Sequence, residues 1–246
     1  MCIIHFVMNI ILFDKLEEKN SLPINDERAR HIKKILKLKI GENFSAGIIN
    51  GDKGVATIID INSETLDFSF EITISEVDKL HPLTLLIAFV RPICMKRILR
   101  EAVSLGVETI VIAGADTTEK SYAKANFYIK DEYKRVLIDG AMQAAQTSIS
   151  EVKIVDNMAD AIRLFDNSFD KILLDNVLKG ESLSLYQRVN EKCVVAIGPE
   201  RGFSKRERNM FKSSGFNSYT LGKRVLRSET AACASIALTL SRMNLI

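Results

Sequence analysis

Two segments of this chain combine residue types suited to holding a polar or charged ligand against backbone. The first, Cys193-Val-Val-Ala-Ile-Gly198-Pro199-Glu200-Arg201-Gly202-Phe203-Ser204, runs from an apolar stretch into two glycines and a proline. Glycine frees the backbone for a tight loop and proline fixes one torsion, so amides can be turned towards a ligand. Ser204 and Glu207 follow at S-x-x-E spacing, which predicts a capping box opening a helix. The second segment, Leu221-Gly222-Lys223-Arg224-Val225-Leu226-Arg227-Ser228-Glu229-Thr230, leads into Ala231–Met243, rich in Ala, Ser and Thr, with Ser228 the expected N-cap. Arg224 and Arg227, placed before an otherwise apolar helix, suit phosphate or carboxylate groups better than a core. Neither segment is G-x-G-x-x-G or a P-loop, so the ordinary nucleotide folds are disfavoured. Taken alone, the first segment also fits a plain strand-to-helix turn.

Such loops need elements to aim them. After His81-Pro82 the apolar runs Leu83–Val90, Thr109–Ala113, Val152–Val155, Lys171–Leu174, Cys193–Ile197 and Ser218–Leu221 alternate with helical stretches. Continuous apolar runs joined by helices are the pattern of buried parallel strands, so residues 79–246 form an α/β domain with a mainly parallel sheet. In such sheets ligands bind at the carboxyl ends of strands, where both segments fall. Residues 1–78 are β-rich instead. Asn50-Gly51-Asp52-Lys53-Gly54 marks a turn between strands Phe44–Ile49 and Val55–Ile61, and Phe68–Ile74 alternates apolar and polar. Met1–Phe13 reads as a strand, with Met8 an alternative start. One short helix, about Asp26–Leu38, turns Ile32, Ile35 and Leu36 inward and a basic cluster outward, giving a small barrel with one basic helix.

The totals set bounds. Lys and Arg number 34 against 31 Asp and Glu, so a nucleic-acid partner would have to be met by local clusters. Two exist: Arg28, Arg30, His31, Lys33, Lys34, Lys37 and Lys39, and the group from Arg201 to Arg227. For the first cluster a merely solvated helix face is an equal reading. Cys2, Cys94, Cys193 and Cys233 never form a C-x-x-C pair, and His5, His31 and His81 are scattered, so neither a metal site nor a Ser-His-Asp system has material. Thiols packed in a reducing cytosol are the expectation.

G-P-E-x-G-F-S followed by L-G-x-R-x-L-R-x-E-T-A resembles the SPOUT-class methyltransferases, and within them the bacterial 16S ribosomal RNA uracil-N3 methyltransferases called RsmE. The resemblance extends through Arg30–Gly41, Leu105-Gly106-Val107 and Ala141-Met-Gln143. It implies a PUA-like β-barrel for RNA docking, then a SPOUT parallel sheet with a C-terminal trefoil knot, in a cytoplasmic homodimer that needs neither metal nor membrane. It implies S-adenosyl-L-methionine as cofactor, held by Leu173, Ile197, Gly198, Pro199, Glu200, Gly202, Leu221, Gly222, Val225, Leu226 and Thr230. The RNA contacts it implies are Arg28, Arg30, His31, Lys33, Lys34, Arg91, Gln143 and Arg224, on 16S RNA or the small subunit near the decoding region.

Uracil N3 carries a proton and attacks poorly until that proton leaves, so such an enzyme must orient the groups and stabilise a developing anion. Arg227 is the expected anion partner and Glu229 or a water the expected proton acceptor. Glu229 otherwise reads as a helix-dipole partner or an ion pair with Arg227. The chain departs from the family's pattern at Arg201, where a glycine is usual, at Arg91 for Lys, at Glu101 and Ser104, and at Gln146 for Arg. A positive φ at Arg201 would cost about 1 kcal/mol or more. A knotted ribose 2′-O-methyltransferase is disfavoured by Leu221-Gly222 and Ser228-Glu229-Thr230. The alternative from another class is a catalytically weak RNA-binding or ribosome-assembly factor with the same fold.

Overall fold

A computed structural model describes residues 10–75, 77 and 79–246. Cys2, His5 and the alternative start Met8 lie outside the described residues, as does most of the strand expected over Met1–Phe13. The chain divides into two compact units.

The first unit holds the residues up to Lys79 and, in addition, Ala141–Ile149. Its strands are β1 (Ile11–Phe13), β2 (Lys19–Pro23), β3 (Asn43–Ile48), β4 (Lys53–Ile61) and β5 (Thr65–Ile74), ordered β1-β3-β4-β5-β2 in one sheet. β1 runs parallel to β3, and the other pairs are antiparallel. The Asn50-Gly51 turn forms as its residues require, with Asn50 at φ 54° and the Ile48 amide donating to Asp52 O at 2.9 Å. Alternation turns Phe44, Ala56, Ile58, Leu66 and Phe68 inward, where Phe68 meets Phe13 and Phe44 at 5.4 and 5.5 Å between ring centroids. The segment 141–149 joins this unit through backbone: the Asn50 amide donates to Thr147 O at 2.9 Å and Lys53 Nζ to Ala145 O at 2.6 Å.

Helix α1 (Glu27–Arg30) is capped by the Asp26 carboxylate, which accepts from the Arg28 amide at 2.8 Å. It continues as a wider, π-type coil over His31–Leu36, ended by Lys37 at φ 56°. This coil corrects one expectation. Ile32 is buried and Leu36 half-buried, but Ile35 is 68% exposed. A coil closed by i→i+5 bonds advances fewer degrees per residue, so the third residue after Ile32 swings out to solvent.

In the second unit β6 (His81–Ala88), β7 (Val107–Ala113), β8 (Glu151–Val155), β9 (Phe169–Leu174), β10 (Glu181–Ser182), β11 (Lys192–Ile197) and β12 (Asn217–Thr220) form one sheet, ordered β10-β12-β9-β11-β6-β7-β8. Every pair is parallel, as the apolar runs require. Leu83, Leu85, Leu86 and Ile87 of β6 and Cys193–Ala196 of β11 are wholly buried. The connections carry α2 (Pro92–Ser104), α3 (Asn126–Ile129), α4 (Glu132–Gln143), α5 (Met158–Ile162), α6 (Lys205–Ser213) and α7 (Ser228–Arg242). Strand order proceeds outward from β6 through β7 to β8, then resumes with β9 and β11 on the other side. β6 and β11 therefore flank the switch point where an open parallel sheet presents its ligand crevice.

Two short strands escaped the sequence reading. β2, Lys-Asn-Ser-Leu-Pro, buries only Leu22, and β10 is two exposed residues. No helix of the described residues is long and apolar enough to cross a membrane.

Candidate functional site

The carboxyl ends of β6, β9, β11 and β12 open into one cleft of about 620 Å³, built wholly from the second unit. β11 leads directly into the first glycine loop. Gly202 closes that loop by donating its amide to Pro199 O at 2.8 Å, and Phe203 anchors it, its ring 4.8 Å from Phe211 in the core. Gly202, not Arg201, takes the left-handed conformation, at φ 71°. Arg201 is absent from the positive-φ residues, so the strain expected there does not arise, and its exposed side chain lies on the cleft wall. A β-branched residue at 202 should therefore be costly. Gly202→Val is expected to lower stability by about 1–2 kcal/mol. An unchanged thermal midpoint would show that the loop can close without this torsion.

The capping box read from Ser204 and Glu207 is present: the Glu207 amide donates to Ser204 Oγ at 3.1 Å, and the Ser204 amide to Glu207 Oε2 at 2.8 Å. Its carboxylate does more than cap. Glu207 is fully buried, and its other oxygen accepts from the Asp116 amide at 2.9 Å, tying the loop after β7 to the glycine loop. Thr117 Oγ1 adds a 2.5 Å bond to Gly202 O. Asp116 in turn accepts from Ser204 Oγ at 2.5 Å and pairs with Arg206. The Arg206 guanidinium, helped by Ser204, holds the Asp116 carboxyl below its ordinary value. That contribution to stability is full above the ordinary carboxylate range and fades as pH falls through the lowered value.

At the end of β9 lies a pair the sequence reading missed. Asp175, its side chain 2% exposed, accepts from Arg208 Nε at 2.9 Å and from the amides of Val177 and Leu178 at 2.7 and 3.0 Å. Both partners line the cleft. An acidic residue directly after the apolar run of β9 was the available signal, because the strand-end rule applied to β11 covers β9 equally. Asp175→Ala should lose about 3–5 kcal/mol, since it strands the Arg208 charge and two amides. A urea midpoint equal to that of the unmodified protein would contradict this.

The second loop forms the opposite wall. Gly222 takes φ 109°, with its amide donating to Thr220 Oγ1 at 3.1 Å. Leu221, Gly222, Arg224, Val225, Leu226, Arg227 and Glu229 all line the cleft, as do Ile197, Gly198, Pro199, Glu200 and Gly202 opposite, and Arg91 after β6. Two of the expected residues do not. Leu173 is 1% exposed and packs in the core, because strand alternation gives the cleft to Leu174 instead. Thr230 is exposed and outside the lining. The N-cap of α7 is Arg227, not Ser228, and it makes no side-chain cap bond. Glu229 pairs with Arg97 of α2 at 3.9 Å rather than with Arg227.

Cys94 and Tyr219 also line the cleft. Burial, reinforced by the Glu229 carboxylate, pushes the Cys94 thiol above its ordinary value, which leaves it protonated and a poor nucleophile. Among the described residues no group of three or more His, Cys, Asp or Glu could hold a metal ion. The cleft thus offers apolar walls, turned-out loop backbone, carboxylates at Glu200 and Glu229, and guanidiniums at its mouth. Of the remaining expected RNA contacts, Arg30, Lys33, Lys34 and Gln143 are exposed and His31 is half-buried. Arg28 is engaged locally, 2.9 Å from Asp26 and 4.8 Å above the Phe13 ring.

Residues 77–240 match the model of an RNA methyltransferase domain, and residues 24–71 that of an RNA methyltransferase PUA domain. The chain is 34% identical to ribosomal RNA small subunit methyltransferase E 1 of Borreliella burgdorferi, over 96% of this chain and 99% of that protein. It belongs to the ribosomal RNA small subunit methyltransferase E family. The Treponema pallidum family member is 36% identical, over 95% of this chain and 91% of its own length. Among solved structures, the Neisseria gonorrhoeae family member bound to S-adenosyl methionine aligns with a TM-score of 0.79 at 21% identity, covering 95% of this chain and 97% of that one. A probable rRNA-methyltransferase from Porphyromonas gingivalis aligns with a TM-score of 0.80 at 20% identity, over 96% and 98%. The first unit is accordingly PUA-like and the second SPOUT-like, and the chain is an RNA methyltransferase.

Proposed function

We propose that this family member transfers the methyl group of S-adenosylmethionine to N3 of a uridine in 16S ribosomal RNA near the decoding region. The observation that carries the reading is the single cleft in which both glycine loops face each other at the switch point of the parallel sheet. The residues suit the cofactor. A volume of about 620 Å³ lies in the range of sites for ligands of this size. Ile197, Leu221, Val225 and Leu226 give an adenine an apolar slot, and Gly198, Pro199, Gly202 and Gly222 give it backbone. Glu200 suits the cationic end, and Arg224, which makes no ion pair among the described residues, the carboxylate. Bound there, S-adenosylmethionine supplies a methyl group already activated by its sulfonium.

The chain's own task is then to prepare the acceptor. Arg227 stabilises the negative charge that grows on uracil as N3 loses its proton, and Glu229 takes that proton. The N3 edge is paired in a duplex, so the target enters unpaired or splayed out. The exposed cations Arg30 of α1 and Lys33 and Lys34 of the coil that continues it dock the RNA, with Arg91, Arg224 and Gln143 adding contacts. We further assign the chain a C-terminal trefoil knot, a homodimeric state, the assembled small subunit or its RNA as partner, and a cytoplasmic location. The assembly-factor alternative rested on Arg201 and Gln146, and the ordinary torsion of Arg201 removes the first of these. Isothermal titration of S-adenosylmethionine should give saturable heat with one site per chain. An absence of heat would defeat the cofactor assignment.

A further inference from the structure

Beside the cleft, the loop between β7 and α3 places an aromatic ring in a setting that the methyl-transfer reading leaves without a role. This loop is fixed against the glycine loop by the Asp116 amide bond to Glu207 and the Thr117 bond to Gly202 O. Further along it, Tyr122 sits half-buried, its amide donating to Glu119 O at 3.0 Å. Arg91 Nε donates to the Tyr122 hydroxyl at 3.1 Å, and the Arg91 amide donates to Glu200 Oε1 at 3.2 Å. Arg91 and Glu200 both line the cleft, so the ring is tethered to its rim by one side chain. Lys120 and Lys124 stand exposed on the same loop.

We propose that Tyr122 is a stacking residue for an unpaired base of the substrate RNA at the rim of the cleft, held in place by Arg91. Single-stranded RNA is recognised chiefly by aromatic rings that receive splayed bases, with nearby cations on the phosphates. A half-buried tyrosine keeps ring surface exposed, while its hydroxyl bond limits the freedom that would otherwise be lost on binding. Phe89, Phe127 and Tyr128, the other aromatics around the end of β6 and α3, are buried against one another and cannot serve.

The proposal rests on the chain methylating RNA, and the unmodified enzyme tests that separately. Methyl transfer to small ribosomal subunits is measured at saturating S-adenosylmethionine for the unmodified enzyme, Tyr122→Phe, Tyr122→Leu and Tyr122→Ala. Losing a base–aromatic stack should raise KM for the RNA roughly five- to hundredfold in the Leu and Ala variants. Tyr122→Phe, which keeps the ring, should stay within about threefold, and the cofactor's Kd by titration should be unchanged throughout. Leu and Ala variants with a KM like that of the unmodified enzyme would overturn the proposal. So would equal loss in Phe, Leu and Ala, which would assign the effect to the Arg91 bond instead of the ring. No turnover by the unmodified enzyme would instead contradict the function itself.

Discussion

Replacing Arg227 by Ala should lower kcat by roughly 10²- to 10³-fold, the effect of removing one donor aimed at charge that develops in the transition state. The geometry favours Arg227 over its neighbours. Arg208 is spent on Asp175, Arg206 on Asp116 and Arg97 on Glu229. Arg227 is exposed, lines the cleft, heads α7, and makes no ion pair among the described residues. Its guanidinium is therefore available to the acceptor without breaking an existing interaction. S-adenosylmethionine affinity should change little, because the proposed partner is the uracil anion. Arg227→Lys should recover part of the rate, since it restores a positive charge without the planar fork. Steady-state kinetics with the cofactor saturating reads this directly, and full turnover in the Ala variant would remove Arg227 from the mechanism.

The largest expected loss of stability comes from Glu207→Ala. Its carboxylate, wholly buried, accepts from the amides of Ser204 and Asp116, and each amide left without a partner costs about 1–3 kcal/mol. Adding the void left by the side chain, the loss should reach about 3–6 kcal/mol. For a chain of this size that lowers the thermal midpoint by roughly 6–24 °C. Glu207→Gln should fall between, because one amide oxygen still accepts while the NH2 faces a donor. The two variants should also weaken cofactor binding in the same order, since the glycine loop that Glu207 anchors borders the cleft. A midpoint within a degree of the unmodified protein would show that water replaces the carboxylate.

Much of this arrangement was legible in the sequence because its signals are local. Buried parallel strands announce themselves as unbroken apolar runs, and the strands so read are present within two residues at each end. The Ser204–Glu207 box is a property of four consecutive residues and survived intact. Signals that depend on distant partners were not legible. Asp175 and Arg208 meet across 33 positions, and Glu229 finds Arg97 on another helix. Leu173 and Leu174 are equally apolar, so only the pleat decides which faces the cleft. Ile35 was misplaced because a π-type coil and an α-helix share the same residue preferences while turning by different angles. Nor did any pattern mark 141–149 for the first unit, since much of what it offers that unit is its own backbone, the carbonyls of Ala145 and Thr147 and the amide of Ile149, which carries no side-chain signature. The torsion at Arg201 was likewise invisible, because the turn can place its left-handed residue at either position and glycine at 202 accepts it at less cost.

The most direct test of the central claim is mass spectrometry of nucleosides after methyl transfer in vitro. Small ribosomal subunits from a strain lacking this gene are incubated with the purified enzyme and isotopically labelled S-adenosylmethionine. The expected result is labelled 3-methyluridine, approaching one per subunit and confined to one 16S fragment near the decoding region. Label on a ribose 2′-oxygen or on another base, or no label in the RNA at all, would contradict the account.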